Sequence, residues 1–388
     1  PASNLKIYTA AAALDLLGPE YRWGTSVLTA GQIKRGTCSD DLVIGGTGDP
    51  MLDTAQLADL ADNLIKEHKL RRVRGQVRVI ASPRWNALPL KGPGWMWDDD
   101  PDYYNMSIRS VMLNFNTLDV VAVHGRDGLS VTLEPSTNWP KVVVSPVTDP
   151  DDKGISFERE SFEESIHVTG TLEPGSDPVR ETITMHDPDL WIASVFTQML
   201  VDRGVEFKDN TDSASERQKA AFYTRLLITQ HGKNLTEALR HFLKVSENAV
   251  GEMVLLKLAE TQTEEDVSWP VGAKVITDWL INSAGLEEGS FRLVDGSGLS
   301  RYNLISADSS IKLLAFMKNH EHFDPFFDGL PVYKVELPKE GKWGGVPFAE
   351  FDPERVFAKP GGMSGVSTIS GYIKTLDGRW LAFSLLSN

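Results

Sequence analysis

The sequence predicts an α+β fold in which one domain is split by a large β-rich insertion. Three observations support this class. Segments with helical spacing lie near both ends of the chain, short strand patterns dominate the region between them, and the last segment has the pattern of a β-hairpin. With 388 residues, the chain has the length of two or three domains.

The composition is that of a globular protein with a core, since 41% of the residues are hydrophobic and 24% are charged. The formal net charge of −15 lacks the basic character of nucleic-acid-binding proteins, so we expect no nucleic-acid partner. No stretch approaches the roughly 20 apolar residues of a membrane span. Cys38 is the single cysteine, which fits either a reducing cytoplasm or an exported protein that its core alone stabilises.

The first element is an alanine- and leucine-rich run from Asn4 to Leu17, which predicts a buried helix that Gly18 and Pro19 terminate. Free chain ends usually fray. We therefore expect that sequence upstream of this helix, including any signal peptide, has been removed.

Strand patterns follow from residue 21 to about 48, then a helix in "TAQLADLADNLIKEH" and a strand in "VRGQVRVIA". The region 82–212 is rich in strands such as "TLDVVAVHG", "LSVTLEP" and "KVVVSP", before a helix in "DPDLWIASVFTQMLVDRGV". Helices dominate from about residue 235, in "LTEALRHFLKVS", "NAVGEMVLLKLAET", "GAKVITDWLINSAG" and "SADSSIKLLAFMKNH". Asp377-Gly378 then marks the closing hairpin.

Ser3 and Lys6 at the mouth of the first helix allow two interpretations. A serine before an apolar run is a favoured N-cap, and the lysine is then a surface charge. On this segment alone the cap is the better interpretation. The same spacing also places a hydroxyl beside residue i+3, where a desolvated lysine can act as the base of a nucleophilic serine.

Two later motifs favour the nucleophile. "KVSENAVGEMV" places Ser246 and Asn248 at the start of another helix, and "FAKPGGMSG" places Lys359 on a strand-like run before glycines. Ser-x-x-Lys, Ser-x-Asn and Lys-x-Gly in this order form the three-part signature of penicillin-recognising serine acyl-transferases.

The segments "PASNLKIYTAAAALDLLGPEYRW", "GGTGDPML", "GWMWDDDPDYYN", "SENAVGEM", "DGSGLSRYNLIS" and "GVSTISGYIKTLDGRWLAFSLLSN" extend this resemblance through the whole chain. The sequence resembles the D-alanyl-D-alanine carboxypeptidases of the DacB-like, S13-type class C penicillin-binding proteins. The resemblance implies a penicillin-binding domain with an antiparallel sheet between helices, formed by residues 1–24 and 208–388. It implies a β-rich insertion at 25–207 with a nested domain at about 51–124.

By this resemblance, Ser3 forms an acyl-enzyme and Lys6 is the base that activates it. Ser246 would shuttle protons toward the leaving amine, and Asn248 would hydrogen-bond the substrate's amide side.

The third motif supplies the other side of the implied site. Lys359 would place a positive charge beside Ser246 and the substrate carboxylate, and Gly361 would help to bind the substrate. The backbone N–H groups of Ser3 and Gly362 would form the oxyanion hole.

The third motif also departs from the family. The usual Lys-Thr-Gly, followed by Thr or Ser, is here Lys359-Pro360-Gly361-Gly362, so two hydroxyl groups that would hold a terminal carboxylate are missing. We therefore keep alternatives to carboxypeptidase action open: an endopeptidase or esterase-like enzyme, a β-lactamase, or a weakened or inactive homologue that binds peptidoglycan. A second departure is the absence of the family's strands and helix before Ser-x-x-Lys and of its final helix, so we expect a chain that is truncated at both ends.

The resemblance implies peptidoglycan stem peptides as substrates, β-lactams as acylating ligands and an exported protein of the periplasm or cell envelope. It implies no cofactor and no metal, and it leaves peripheral membrane association and the oligomeric state open.

Three other motifs have simpler interpretations. "GGTGDP" lacks the Lys-Ser/Thr of a phosphate loop and predicts a turn. "WDDDPD" predicts a solvated acidic loop rather than a cation site. His320 and His322 in "NHEHF" are expected to diverge at a helix end, which disfavours a metal site.

Overall fold

The computed structural model describes residues 1–125, 128–145, 154–160, 163, 165–207, 225–333, 342–343, 346–347 and 354–388. The chain forms two compact units. One comprises Pro1–Tyr21, Gly92–Trp95 and Lys233–Asn388, and the other comprises Arg22–Lys91 and Met96–Gly232. The domain bounds expected from the sequence, 1–24, 25–207 and 208–388 with a nested domain at about 51–124, stay predictions.

The α-helices of the described residues are α1 Lys6–Leu17, α2 Thr54–His68, α3 Pro188–Asp202, α4 Leu235–Lys244, α5 Asn248–Gln262, α6 Trp269–Asn282, α7 Ala307–Lys318 and α8 Phe323–Gly329. The 3₁₀ turns are Ala2–Leu5, Pro83–Trp85, Trp97–Asp99 and Asn114–Asn116.

The strands up to the end of α3 are β1 Arg22–Thr29, β2 Ile33–Lys34, β3 Thr37–Cys38, β4 Leu42–Gly46, β5 Arg72–Val73, β6 Val77–Ile80, β7 Thr117–Gly125, β8 Gly128–Glu134, β9 Val142–Ser145, β10 Ile155–Glu158, β11 Ile166–Gly170 and β12 Val179–Thr184. The later strands are β13 Glu206–Phe207, β14 Arg225–Asn234, β15 Phe291–Arg292, β16 Leu304–Ile305, β17 Val332–Tyr333, β18 Lys342–Trp343, β19 Val346–Pro347, β20 Val356–Met363, β21 Val366–Lys374 and β22 Trp380–Ser387.

Helix α1 lies at the centre of the first unit. Every residue from Lys6 to Leu14 is buried, and the helix packs against α4, α5 and α6. Its four consecutive alanines allow this close approach, because small side chains bring helix backbones near one another on every side. Gly18 ends the helix with φ +82°, a conformation that suits glycine. The first helix predicted from the sequence is thus confirmed as a buried element.

An antiparallel sheet with the strand order β17-β20-β21-β22 completes this unit. The 3₁₀ turn Ala2–Leu5 packs on β20 and β21, while α7 packs on β21 and β22. The Tyr372 hydroxyl of β21 donates to the Leu314 carbonyl of α7 at 2.7 Å. The predicted hairpin is confirmed, since β21 and β22 pair in register from Ser367–Ser387 to Lys374–Trp380.

The second unit contains sheets with the orders β14-β1-β4-β6, β12-β7-β8, β10-β11-β9 and β13-β5-β3-β2. Leucine, valine and tryptophan side chains from its strands and from α2 and α3 form a hydrophobic core, with Leu57, Leu60, Trp191 and Phe196 fully buried. The β-rich character predicted for the middle of the chain is confirmed. Burial of apolar surface on both faces of these short elements stabilises the unit.

One expectation for the second unit is wrong in part. The acidic segment "WDDDPD" was expected to be solvated, yet Asp100 is only 5% exposed. The guanidinium of Arg159 donates to both of its carboxylate oxygens at 2.9 Å, and Lys91 donates to one of them at 3.2 Å. A buried carboxylate needs such partners, since an unpaired buried charge is strongly disfavoured. Within the described ranges, no helix is both long enough and apolar enough to traverse a lipid bilayer.

Candidate active site

Ser3 and Lys6 form a hydrogen-bonded pair at the start of the first helix. Lys6 Nζ lies 2.9 Å from Ser3 Oγ, so the i,i+3 spacing does place the two side chains on one face. Ser3 is half-buried and therefore accessible, whereas Lys6 is fully buried. The 3₁₀ turn begins at Ala2, and its N-cap position is Pro1 with no side-chain cap bond. The N-cap interpretation of Ser3 is therefore wrong.

Lys6 has two further hydrogen-bond partners, and both are carbonyl oxygens. Its Nζ donates to Asn248 Oδ1 at 2.7 Å and to the Ser297 backbone carbonyl at 2.8 Å. Asn248 is the first residue of α5, which the preceding Glu247 caps through the Ala249 N–H. The helix start thus aims the asparagine side chain at the lysine.

Burial, together with the positive charge of Lys359, lowers the pKa of Lys6 to about 7. Asp295, Glu252 and Glu247 act in the opposite direction, because their negative charges favour the ammonium form. The Phe242 ring lies 5.6 Å from Nζ. A substantial fraction of Lys6 is thus neutral at physiological pH, which is the condition for a general base.

Lys359 of β20 is hydrogen-bonded to the Ser246 side chain. Lys359 Nζ donates to Ser246 Oγ at 2.9 Å and to the Pro360 carbonyl at 3.1 Å. Burial lowers the pKa of Lys359 to about 8. The Lys359 carbonyl accepts from Asn4 Nδ2 at 2.9 Å, which ties β20 to the residue that follows Ser3.

Ser246 lies between α4 and α5 with φ +70°, in the left-handed region. A non-glycine residue there costs about 1–3 kcal/mol, and such strain is common at functional sites. The conformation turns the chain so that Ser246 contacts Lys359 while Asn248, two residues later, contacts Lys6.

The two glycines after Pro360 differ in their surroundings. A Cβ on Gly361 would lie 2.7 Å from the Asn4 nitrogen and 2.7 Å from the Pro1 carbonyl oxygen, so only glycine fits against the turn that carries Ser3. A Cβ on Gly362 would meet only the Val366 carbonyl, at 4.0 Å. Gly362 therefore faces open space, as a residue that binds a substrate requires.

The structure thus brings Ser3, Lys6 and Asn248 into one hydrogen-bond network, and Ser246 and Lys359 into another. Both approach the turn at Ala2–Leu5. The loop residue Ser297 was missed as a partner of Lys6, because a backbone carbonyl has no sequence signature. It lies in the segment "DGSGLSRYNLIS", which contributes to the family resemblance.

Chemically, the contacts of Lys6 define a base. A neutral amine carries two hydrogens and one lone pair. With both hydrogens donated to the carbonyl oxygens of Asn248 and Ser297, the lone pair faces Ser3 Oγ and can accept the hydroxyl proton. A serine so activated is a nucleophile for acyl transfer.

The expected divergence of His320 and His322 is wrong. Helix α7 ends at Lys318, and the following turn brings the two rings to 5.4 Å, with His320 Nε2 3.1 Å from Asp15 Oδ1. In the part of the chain that the structure describes, no group of three or more His, Cys, Asp or Glu side chains is arranged to hold a metal ion.

Comparisons with known proteins agree with this geometry. Residues 1–388 match the model of the D-Ala-D-Ala carboxypeptidase 3 (S13) family. The chain is 28% identical over 400 residues to a D-alanyl-D-alanine carboxypeptidase of an Actinomadura species, covering 100% of this chain and 73% of the relative. It is 23% identical over 391 residues to D-alanyl-D-alanine carboxypeptidase DacB of Haemophilus influenzae, covering 98% and 79%.

Among solved structures, penicillin-binding protein 4 (DacB) of Haemophilus influenzae superposes with a TM-score of 0.77 at 21% identity, covering 100% of this chain and 84% of that one. The same protein complexed with a β-lactam gives a TM-score of 0.72 at 20% identity, with the same coverage. The chain therefore has the penicillin-binding-protein fold.

Proposed function

The chain belongs to the D-Ala-D-Ala carboxypeptidase 3 (S13) family of serine hydrolases, and on this premise we propose that Ser3 is its acylated nucleophile. The substrate class is the peptidoglycan stem peptide that ends in D-Ala-D-Ala. The observation that carries the proposal is the set of Lys6 contacts, which leaves the lone pair of a neutral amine to face Ser3 Oγ.

In the acylation step, Ser3 Oγ attacks the carbonyl carbon of the penultimate D-Ala while Lys6 Nζ accepts the hydroxyl proton. The negative charge that develops on the carbonyl oxygen is stabilised by the backbone N–H groups of Ser3 and Gly362. Charge stabilisation at such a position typically changes the rate by about 10²- to 10³-fold.

Ser246 then relays to the leaving nitrogen the proton that Lys6 accepted, which leaves Lys6 neutral and the Ser246 hydroxyl intact. Its hydroxyl is the partner of Lys359 Nζ at 2.9 Å. As the C–N bond breaks, the terminal D-Ala departs as an amine and the peptide remains as an ester on Ser3. Water hydrolyses this ester, with Lys6 again as the base, and regenerates the free serine. β-Lactams would acylate the same oxygen by opening their amide bond.

Asn248, Lys359 and Gly361 form the substrate-binding side of the proposed site. Asn248 would bind the amide side of the peptide, and the ammonium of Lys359 would attract its terminal carboxylate. Gly361 allows β20 to lie against the Ser3 turn, so that a peptide can bind along the strand. This substrate class places the protein in the cell envelope, and we propose the periplasmic side of the membrane.

Labelling with a fluorescent penicillin tests the nucleophile. We expect one fluorophore per chain on the wild-type protein and none on Ser3→Ala, because the ester needs the Ser3 oxygen. Lys6→Ala should retain Ser3 and label at least 100-fold more slowly, since general-base help of this kind contributes about 10²–10⁴-fold. Label that persists on Ser3→Ala, or an unlabelled wild-type protein that unfolds cooperatively, would refute the proposal.

The sequence of β20 favours a second candidate function. Pro360 and Gly362 offer no side-chain hydroxyl to a terminal carboxylate. A site of this kind can still form the acyl-enzyme, but it prefers substrates with a free C-terminus less strongly. That specificity is typical of an endopeptidase or a weakened carboxypeptidase. An esterase or β-lactamase would instead deacylate rapidly, and the persistence of the penicillin label distinguishes that case.

A further inference from the structure

Glu252 is a fully buried carboxylate for which the proposed mechanism has no role. It lies on α5 one turn after Asn248, so the two side chains share a helix face. Its Oε1 accepts the Ser297 N–H at 2.8 Å, and its Oε2 accepts the Gly296 N–H at 3.2 Å and the Trp269 indole N–H at 2.7 Å. All three of these bonds come from N–H donors, and two of the donors belong to one short loop.

That loop, residues 295–298, packs tightly against its surroundings. A Cβ on Gly296 would lie 2.1 Å from the Gly251 carbonyl of α5, and a Cβ on Gly251 would lie 2.8 Å from the Gly296 carbonyl. On the other side, a Cβ on Gly298 would lie 1.9 Å from the Ala2 carbonyl, and Gly298 has φ +89°. The loop is therefore inserted between α5 and the Ser3 turn, at distances that only glycines allow.

The loop is also held by Asp295. Its carboxylate accepts the N–H groups of Gly298 at 2.8 Å and Ser300 at 2.6 Å, and the indole N–H of Trp95 at 3.0 Å. Asp295 thereby fixes the far end of the loop, whereas Glu252 fixes the peptide units on either side of Gly296.

The Ser297 residue connects Glu252 to the site. Its N–H donates to Glu252, and its own carbonyl accepts from Lys6 Nζ. The geometry points to Glu252 as a positioning residue of the acylation reaction: by holding the Ser297 backbone, it orients the amine of Lys6 toward Ser3 Oγ. This inference rests on the proposed function, and it assigns a role to a residue that touches neither the nucleophile nor the substrate.

The pKa of Lys6 provides a second measurement of the role of Glu252, because it depends on the charges around the amine. The groups that face it are Lys359, Asp295, Glu252 and Glu247. Burial and the neighbouring Asp295 raise the pKa of Glu252, whereas the N–H groups of Ser297, Trp269 and Gly296 that donate to it lower this pKa and favour the carboxylate. Any negative charge on Glu252 raises the pKa of Lys6, and so does the Ser297 carbonyl that Glu252 holds in place. Loss of Glu252 should therefore lower the pKa of Lys6.

Glu252→Gln is the informative substitution, because it keeps the volume and removes an acceptor. The amide nitrogen of glutamine can only donate. It would face either the Ser297 N–H or the N–H groups of Gly296 and Trp269, so at least one donor of the set would lose its partner.

The experiment measures two quantities on the full chain. The first is the second-order rate of acylation by a fluorescent penicillin from pH 5 to 9. The second is the NMR titration midpoint of Lys6, assigned with Lys6→Arg in protein that carries ¹³C-labelled lysine. For Glu252→Gln we expect acylation that is about 10- to 100-fold slower, because a displacement of about 1 Å costs this much. We also expect a Lys6 midpoint that moves to lower pH.

Asp15→Asn is the matched control. Asp15 likewise accepts an indole N–H, from Trp279 at 2.6 Å, and its other oxygen lies 3.1 Å from His320 Nε2, so its hydrogen bonds are made to residues outside the Lys6 network and the 295–298 loop. This variant should acylate at the wild-type rate with an unchanged Lys6 midpoint. If Glu252→Gln does not fold, Trp269→Phe removes one donor to Glu252 and should slow acylation several-fold with the same direction of midpoint shift.

The outcomes separate the two proposals. A wild-type protein that takes no penicillin would refute Ser3 as the nucleophile, while the titration would still decide the role of Glu252. A Glu252→Gln protein, or the Trp269→Phe substitute, whose acylation rate and Lys6 midpoint match those of Asp15→Asn would overturn the positioning role.

Discussion

At the scale of single residues, burial sets the protonation of Lys6. An ordinary lysine is an ammonium ion at neutral pH and has no lone pair to accept a proton. Complete burial and the charge of Lys359 lower the pKa of Lys6 to about 7. The pKa of Lys359 falls only to about 8. Near neutral pH, Lys359 therefore keeps more of its positive charge than Lys6, which suits Lys6 to the proposed role of base and Lys359 to the proposed attraction of a carboxylate.

These pKa values predict a bell-shaped pH dependence of acylation. Lys6 must lose its proton, so the rate of penicillin labelling should rise with pH to a half-maximum near pH 7. Lys359 must keep its proton to attract the substrate carboxylate, so the rate should fall again above about pH 8. Stopped-flow labelling from pH 5 to 10 measures both limbs. A rate that is independent of pH over this range would contradict the assignment of Lys6 as the base.

We expect strand β20 to determine substrate choice. It presents Lys359 to Ser246, and Gly361 to the turn that carries Ser3. The family resemblance implies a hydroxyl at position 360, where this chain has a proline ring without an N–H donor. We therefore expect acylation and carboxylate recognition to be separable on this strand.

The double substitution Pro360→Thr with Gly362→Thr should restore carboxylate recognition. Each charge-assisted hydrogen bond contributes about 1.5–3 kcal/mol, so we expect D-Ala release from a stem pentapeptide to rise by roughly 10²- to 10⁴-fold in kcat/KM. Penicillin acylation should change less than tenfold, because the Ser3 network is untouched. Unchanged D-Ala release, measured by an amino-acid oxidase assay, would show that these hydroxyl positions do not determine specificity.

Elements differed in how well the sequence predicted them. The helices from Leu235 onward and the closing hairpin follow directly from periodicity and from the Asp-Gly turn. The loop 295–298 was not predicted as part of the site. Its proposed role depends on the Ser297 carbonyl oxygen, on close glycine contacts and on Glu252 of α5, none of which a linear pattern encodes.

At the scale of the whole molecule, each compact unit has buried polar groups of its own. The first contains Lys6, Glu252 and Asp295, whereas the second contains the ion pair of Arg159 with Asp100. The first set is tied to chemistry, since it surrounds the proposed nucleophile. The ion pair belongs to the second unit, whereas the predicted site residues belong to the first, so we interpret it as structural.

Arg159→Met should therefore destabilise the protein without changing its chemistry. Removal of one partner from a buried pair costs about 3–5 kcal/mol, which corresponds to a fall of the unfolding temperature on the order of 10 °C. The folded variant should label with penicillin at the wild-type rate at 10 °C. Calorimetry and labelling together check this, and a large loss of rate in fully folded protein would contradict a purely structural role.

The sequence by itself determined the α+β class, the order of most elements and the three motifs that we propose to be catalytic. These depend on local periodicity, on turn residues and on residue types at short spacing, all of which are present along the chain. Only the tertiary structure showed that Ser3 lies beside a buried amine and does not cap a helix. It also showed that the carbonyl oxygens of Asn248 and Ser297 accept from that amine, and that Glu252 accepts from the loop that contains Ser297. The physical reason is that desolvation and hydrogen-bond geometry arise from residues as far apart as Lys6, Glu252 and Ser297, which become neighbours only when the chain folds.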